Sequence, residues 1–208
     1  MSLLYSDRGN LSLGFHGCKA SVAKKLISNP DEIKISRNEW DWLGSGFYIW
    51  ENNMERALEW ATNQYGEEGA VIGVVYELGT CLDLMDSACI QLVRLARKAF
   101  ENDMNAIGKP LPSNKDLKSD PNKDRILRNL DCAVINYLTS ATDESCRKDI
   151  QTKGYSETRP FDSVRGCFNE GAKIPGMEIY EKTHIQIAIR NLNCIKGLFL
   201  PRTEINFL

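Results

Sequence analysis

Residues 40–50 read WDWLGSGFYIW, and the next ten, ENNMERALEW, turn charged and helical. Side chains alternate along a strand, so Tyr48 and Trp50 face one way and Phe47 and Ile49 the other. Gly44 and Gly46 fall on Tyr48's face, and the alternation predicts open space beside its ring. A ring beside cleared surface is a stacking platform for a flat ligand, favourable by roughly 1–3 kcal/mol if it behaves as base stacking does. Glycines in an aromatic strand also mark bulges and corners, and Trp40, Trp42, Phe47 and Trp50 also read as core. Neither GxGxxG nor GxxxxGK[ST] is present, so the stretch is not a phosphate loop.

Working outward, Met54, Ala57, Leu58 and Ala61 share one face of a helix that follows GFYIW directly. Upstream, SLGFHG at 12–17 alternates and ends in glycine, a strand meeting a tight turn, followed by a short helix over 20–28. Downstream, AVIGVVYEL at 70–78 is β-branched and nearly continuous, as in a strand buried on both faces. Residues 84–107 carry helical periodicity with Asp86 and Ser87 as caps, and Ile126–Tyr137 is a second amphipathic helix. Between them GKPLPSNKDLKSDPNKDR (108–125) reads as an exposed, mobile loop. Residues 143–182 read as irregular, a length that points to function or disorder. HIQIAIR at 184–190 alternates as a strand, and CIKGLFLP adds a short terminal one. Strands first, middle and last with helices between predict a single α+β domain with largely antiparallel sheets.

The chain has 208 residues, 42 % of them hydrophobic, enough for one ordinary core. Twenty-six basic against 28 acidic residues give a charge of −2, which excludes the bulk positive field of non-specific nucleic-acid binders. No apolar run approaches the ~20 residues that span a bilayer, and no signal-like leader opens the sequence. The expectation is a soluble, cytoplasmic protein without a membrane partner. Seven cysteines without a CxxC pair fit a reducing compartment, with thiols acting as small hydrophobes. Two histidines and no ligand pair at customary spacing predict no metal site.

His16 and Gly17 sit at the first strand's end. A histidine there reads as a turn residue, while the glycine lets a ligand approach the backbone and meet an N–H and C=O edge suited to an amide. His16-Gly17, followed by Leu43-Gly44-Ser45-Gly46-Phe47-Tyr48-Ile49-Trp50 entering a helix with Ala57 and Ala61, resembles the diphtheria-toxin-like branch of ADP-ribosyltransferases, which includes the poly(ADP-ribose) polymerases. The likeness covers roughly 14–78 and 180–200 and is greatest to small bacterial proteins of that fold. It implies split antiparallel β-sheets with peripheral helices, and NAD as substrate. It also implies that His16 binds the adenosine ribose, the Gly17 backbone grips the nicotinamide amide, and Tyr48, in the Gly44/Gly46 strand, stacks on the nicotinamide ring.

The signature's third residue, a glutamate that begins a late strand and binds the nicotinamide-bearing ribose, is missing. Gln186 is its preferred equivalent; Thr183 is the other alignment, and Glu181 lies close by. Breaking the nicotinamide–ribose bond builds positive charge on the sugar, and a carboxylate that balances it is worth several kcal/mol, whereas an amide only orients. FDSVRGCFNEG offers Asp162, Arg165 and Glu170: Glu170 as the compensating acid and Arg165 as a pyrophosphate partner, against the alternative of a solvated, salt-bridged surface. The leading expectation is transfer of ADP-ribose to a protein, nucleic-acid or small-molecule acceptor; NAD glycohydrolysis is a variant in which water accepts. The rivals are an inactive NAD- or ADP-ribose-binding module and a cysteine hydrolase pairing Cys18 with His184.

Overall fold

The computed structural model describes residues 10–203. These form an α+β chain of four α-helices and nine strands that divides into two compact units. One comprises the chain up to Lys34, Ile49–Glu77 and the chain from Leu192 on; the other comprises Ile35–Tyr48 and Leu78–Asn191.

In the first unit, β1 (Ser12–Lys19) lies between β2 (Phe47–Glu51) and β3 (Gly69–Tyr76), and β9 (Ile195–Phe199) flanks β3, all antiparallel. β2 crosses the boundary between the units at Tyr48/Ile49. β1 does not end in a turn at Gly17: β3 pairs with it from Ser12↔Tyr76 to Lys19↔Gly69 and carries it on to the start of α1 (Ala20–Ser28). The helix predicted after GFYIW is α2 (Met54–Tyr65), capped by the Asn53 side chain, which accepts from the Arg56 N–H at 3.0 Å. Ala57 and Ala61 are fully buried. A Cβ on Gly17 would lie 2.4 Å from the Ala57 carbonyl oxygen, and one on Gly69 2.8 Å from that of Ala61. Small residues on both sides thus let helix and strand backbones touch.

In the second unit, β7 (Ser163–Phe168) is central, antiparallel to β8 (His184–Ile189) and parallel to β4 (Cys81–Asp83). The strands of this unit are therefore mixed, with the β4–β7 pair parallel where largely antiparallel sheets were expected. Two helices cover the same unit: α3 (Ser87–Ala106), whose Asp86 cap accepts from Ala88 and Cys89 N–H, and α4 (Asn129–Lys153). Leu43, Leu82, Ile135, Val164 and Ala188 form the shared core.

Residues 143–182 are not irregular throughout. α4 runs on to Lys153 and stops at Gly154, whose φ of 80° is the left-handed C-terminal conformation glycine adopts most easily. β7 follows. The 108–125 segment has no buried residue, as expected of a chain outside the core. It is nevertheless anchored: β5 (Asn114–Lys115) pairs with β6 (Leu127–Arg128), which occupies the start of the predicted helix. Asn114 Oδ1 accepts from the Leu130 N–H at 2.9 Å, supplying the α4 N-terminus with a side-chain acceptor.

Candidate functional site

The WDWLGSGFYIW stretch holds its aromatic residues in unlike ways. Trp40 is 47 % exposed and not core. Trp42 lies against Gly166 of β7, where an added Cβ would come 2.7 Å from the indole edge. Its Nε1–H donates to Gln186 Oε1 at 2.6 Å, and Gln186 is directly opposite Gly166 in the ladder. The surface that glycine clears is thus on β7, and an indole fills it. Gly44 and Gly46 do not open space beside Tyr48. A Cβ on Gly44 would meet Asn136 at 2.7 Å and one on Gly46 would meet Ala188 at 2.8 Å, while the Gly44 φ of 76° itself favours glycine. Tyr48 remains partly accessible, but its hydroxyl accepts from the Leu43 N–H at 3.0 Å and donates to the Gly44 carbonyl at 2.8 Å. Burial pushes its pKa well up, and Asp41 adds to the shift. Tyr48 and Gln186 therefore grip the same 42–44 turn.

Two residues back along β8, on the same face as Gln186, His184 stacks on Phe168 with ring centroids 5.6 Å apart. Its Nδ1 lies 2.7 Å from the Lys182 carbonyl oxygen, which fixes a proton on that nitrogen. Glu170 Oε2 is 4.0 Å from the same Nδ1. Phe168 meets Trp42 edge-on at 5.2 Å, and the Arg128 guanidinium sits 4.0 Å above the Phe168 ring and 5.5 Å from Trp42. Burial lowers the Arg128 pKa, while Asp131 and Asp124 oppose the shift. An amide, an imidazole, a carboxylate and a cation thus line one face of a two-stranded ladder.

The other named residues lie elsewhere. Arg165 is committed to Asp83 at 3.0 Å. Asp162 bonds the Thr80 N–H and the Asn191 side chain at the opposite end of β7. Thr183 Oγ1 donates to the Tyr180 carbonyl, and Glu181 is exposed. In the first unit His16 is half-buried opposite Ile72, and β1 pairs with β2 through Gly14 and Phe15. The Gly17 Cα faces α2, so the close approach its missing side chain permits is made by a helix. Cys18 is buried and its thiol pKa raised by that burial, the opposite of an activated nucleophile.

Trp42, Arg128 and Phe168 were not singled out as site residues by the sequence. Trp42 was visible as an aromatic beside the glycines, but nothing local links Arg128, in RILRNLD, to rings 86 and 40 positions away. No family model, curated protein or solved structure matches this chain.

Proposed function

We propose that this chain binds NAD and cleaves its nicotinamide–ribose bond, passing ADP-ribose to a protein, nucleic-acid or small-molecule acceptor or to water. The observation that carries the reading is Glu170 beside His184, a residue that itself lies one same-face step, about 7 Å along β8, from Gln186. On this reading Glu170 is the carboxylate that Gln186, the preferred equivalent of the signature's third residue, lacks. Trp42 holds Oε1 of Gln186, so the amide presents its NH₂ as a donor to a ribose hydroxyl oxygen. In cleavage the nicotinamide nitrogen leaves with the bonding pair and the acceptor's lone pair forms the new bond to the anomeric carbon. Glu170 balances the positive charge between these events and takes the acceptor's proton.

The binding-module alternative is favoured by Gln186 itself, since a neutral amide already bonded to an indole orients a sugar without stabilising an oxocarbenium ion. Incubation with NAD labelled in the adenosine, followed for free nicotinamide and labelled product, separates the two. Glu170→Gln is expected to lower turnover about 100-fold with NAD affinity little changed, because its interaction grows in the transition state. Gln186→Ala is expected to lower both. If NAD binds but neither wild type nor Gln186→Glu releases nicotinamide, the binding module is correct. If NAD does not bind, both readings fall.

A further inference from the structure

At the other end of the β7–β8 ladder the second unit contains a cavity of about 610 Å³. Its size is within the ~300–1,000 Å³ of small-molecule sites. One wall is a stripe of α4, Asp143, Cys146, Arg147 and Ile150, whose spacing of three, four and seven residues puts them on a single helical face. The opposite wall is the Arg159–Asp162 segment leading into β7, with Thr80 before β4 and Arg190 and Asn191 after β8.

The charged groups of this cavity divide into two sets. Asp162 and Arg190 are structural. Asp162 accepts from the Thr80 N–H at 2.8 Å and from Asn191 Nδ2 at 2.7 Å, and its carbonyl accepts the Arg190 and Asn191 N–H groups. Arg190 spends its guanidinium on Asp143 Oδ2, at 2.7 Å, and on the Phe161 carbonyl. This set joins the ends of three strands to α4 and makes the floor rigid. Arg147 and Arg159 are different. Arg147 has only a 3.7 Å contact with Glu144, both side chains being more than 60 % exposed, and Arg159 has no ion pair among the described residues. Two guanidinium forks thus remain at the rim beside an apolar surface of Ile150, Pro160 and Phe161.

We infer that this cavity binds a phosphate monoester of an apolar, aromatic alcohol, an aryl phosphate, whether free or as a phosphorylated tyrosine side chain. A carboxylate has two oxygens and matches one guanidinium fork. A phosphate dianion has three terminal oxygens and takes both forks, Arg147 from the helix and Arg159 from the loop. The ring would lie against Phe161, Pro160 and Ile150, where its burial adds to the charge pairing. The preset floor means that little is ordered on binding beyond two exposed side chains. None of these residues takes part in the proposed NAD chemistry, roughly 17 Å away along β7 at the strand rise.

The test is calorimetric titration of the whole chain at low ionic strength with phenyl phosphate, inorganic phosphate, benzoate, phenol and a phosphotyrosine peptide. Phenyl phosphate is expected to bind at least 10-fold more tightly than inorganic phosphate, benzoate or phenol. Arg159→Ala and Arg147→Ala should each weaken it about 10-fold or more, both being exposed and dispensable for folding. Gln186→Ala should leave it unchanged, which also separates this site from the proposed NAD site. A phosphotyrosine peptide that binds as tightly as phenyl phosphate identifies a protein ligand; one that does not identifies a small molecule. The inference is overturned if phenyl phosphate shows no binding, binds no better than inorganic phosphate, or binds equally to both arginine variants.

Discussion

The two ends of the β7–β8 ladder handle positive charge in opposite ways. At the Phe168/His184 end, Arg128 lies over an aromatic ring, beside an indole whose N–H is itself spent on Gln186. At the Ser163/Ile189 end, Arg190 is neutralised by Asp143 and a carbonyl, but Arg147 and Arg159 face water. Where a cation is covered by rings, it has become part of the packing and its removal is felt in stability. Where it is left at a rim, its removal is felt by whatever binds there. The same sheet thus separates a packed cation, Arg128, from the exposed Arg147 and Arg159, and variants of these arginines should report through different measurements.

The largest expected effect is at the covered end. Trp42→Ala removes the indole that fills the slot above Gly166, the edge contact with Phe168, the neighbour of Arg128 and the donor to Gln186. A loss of about 3 kcal/mol in unfolding free energy is expected in urea melts, from the cavity and the lost contacts together. A loss under about 1 kcal/mol would show that the indole is a surface flap and that this end is as open as the other.

Much of this arrangement was legible in the sequence, for identifiable reasons. β3 announced itself because neither of its faces is exposed, so its apolar run is nearly unbroken. Asp86 marked the start of α3 because a cap is a local event. The second half of α4 was missed because, past Leu138, its buried positions in that half reduce to Thr139 and Cys146, too sparse for a periodic signal. β7 was missed because its inward alternation runs through Val164, while Gly166 contributes no side chain to the pattern and is there to admit Trp42. The Gly44 and Gly46 reading went astray for a related cause. A glycine signals a close approach, and the sequence does not say whether a ligand or the protein makes it; here Asn136 and Ala188 do. Gln186 was named by alignment with a motif, but its bond to Trp42 joins residues 144 positions apart.

A smaller effect concerns the support of Trp42's loop. The Cys132 thiol on α4 reaches the Asn38 carbonyl at 3.4 Å, and burial first, with Asp41 next, pushes its pKa from 9.0 up to about 11. The folded chain holds this proton more tightly than the unfolded one. The associated stability is therefore fully present below pH 9 and is lost as pH rises toward about 11, an effect on the order of 1 kcal/mol. Burial raises the Tyr48 hydroxyl too, so it adds to the same alkaline loss at higher pH. Thermal melts from pH 8 to 11 should show a declining midpoint, with a shallower decline in Cys132→Ala. Parallel declines in both proteins would assign the alkaline sensitivity to other groups.

The smallest expected effect tests the open end. Glu144 and Arg147 are one helical turn apart at 3.7 Å, with side chains 77 % and 67 % exposed. Such a pair contributes less than about 0.5 kcal/mol, because water screens the attraction and two long side chains lose freedom to make it. Glu144→Ala should leave the urea midpoint nearly unchanged. Its effect should appear instead in ligand binding, since it removes a carboxylate that competes with phosphate for the Arg147 guanidinium. Affinity for phenyl phosphate is expected to rise about 2-fold at low ionic strength, and the gain should disappear in roughly 1 M salt, where the Debye length is only about 3 Å. A melt shifted as far as that of Trp42→Ala would mean that the rim charges are structural after all, and the contrast between the two ends would fail. A normal melt with unchanged phenyl phosphate affinity would place Arg147 outside the contact and leave Arg159 to hold the anion alone.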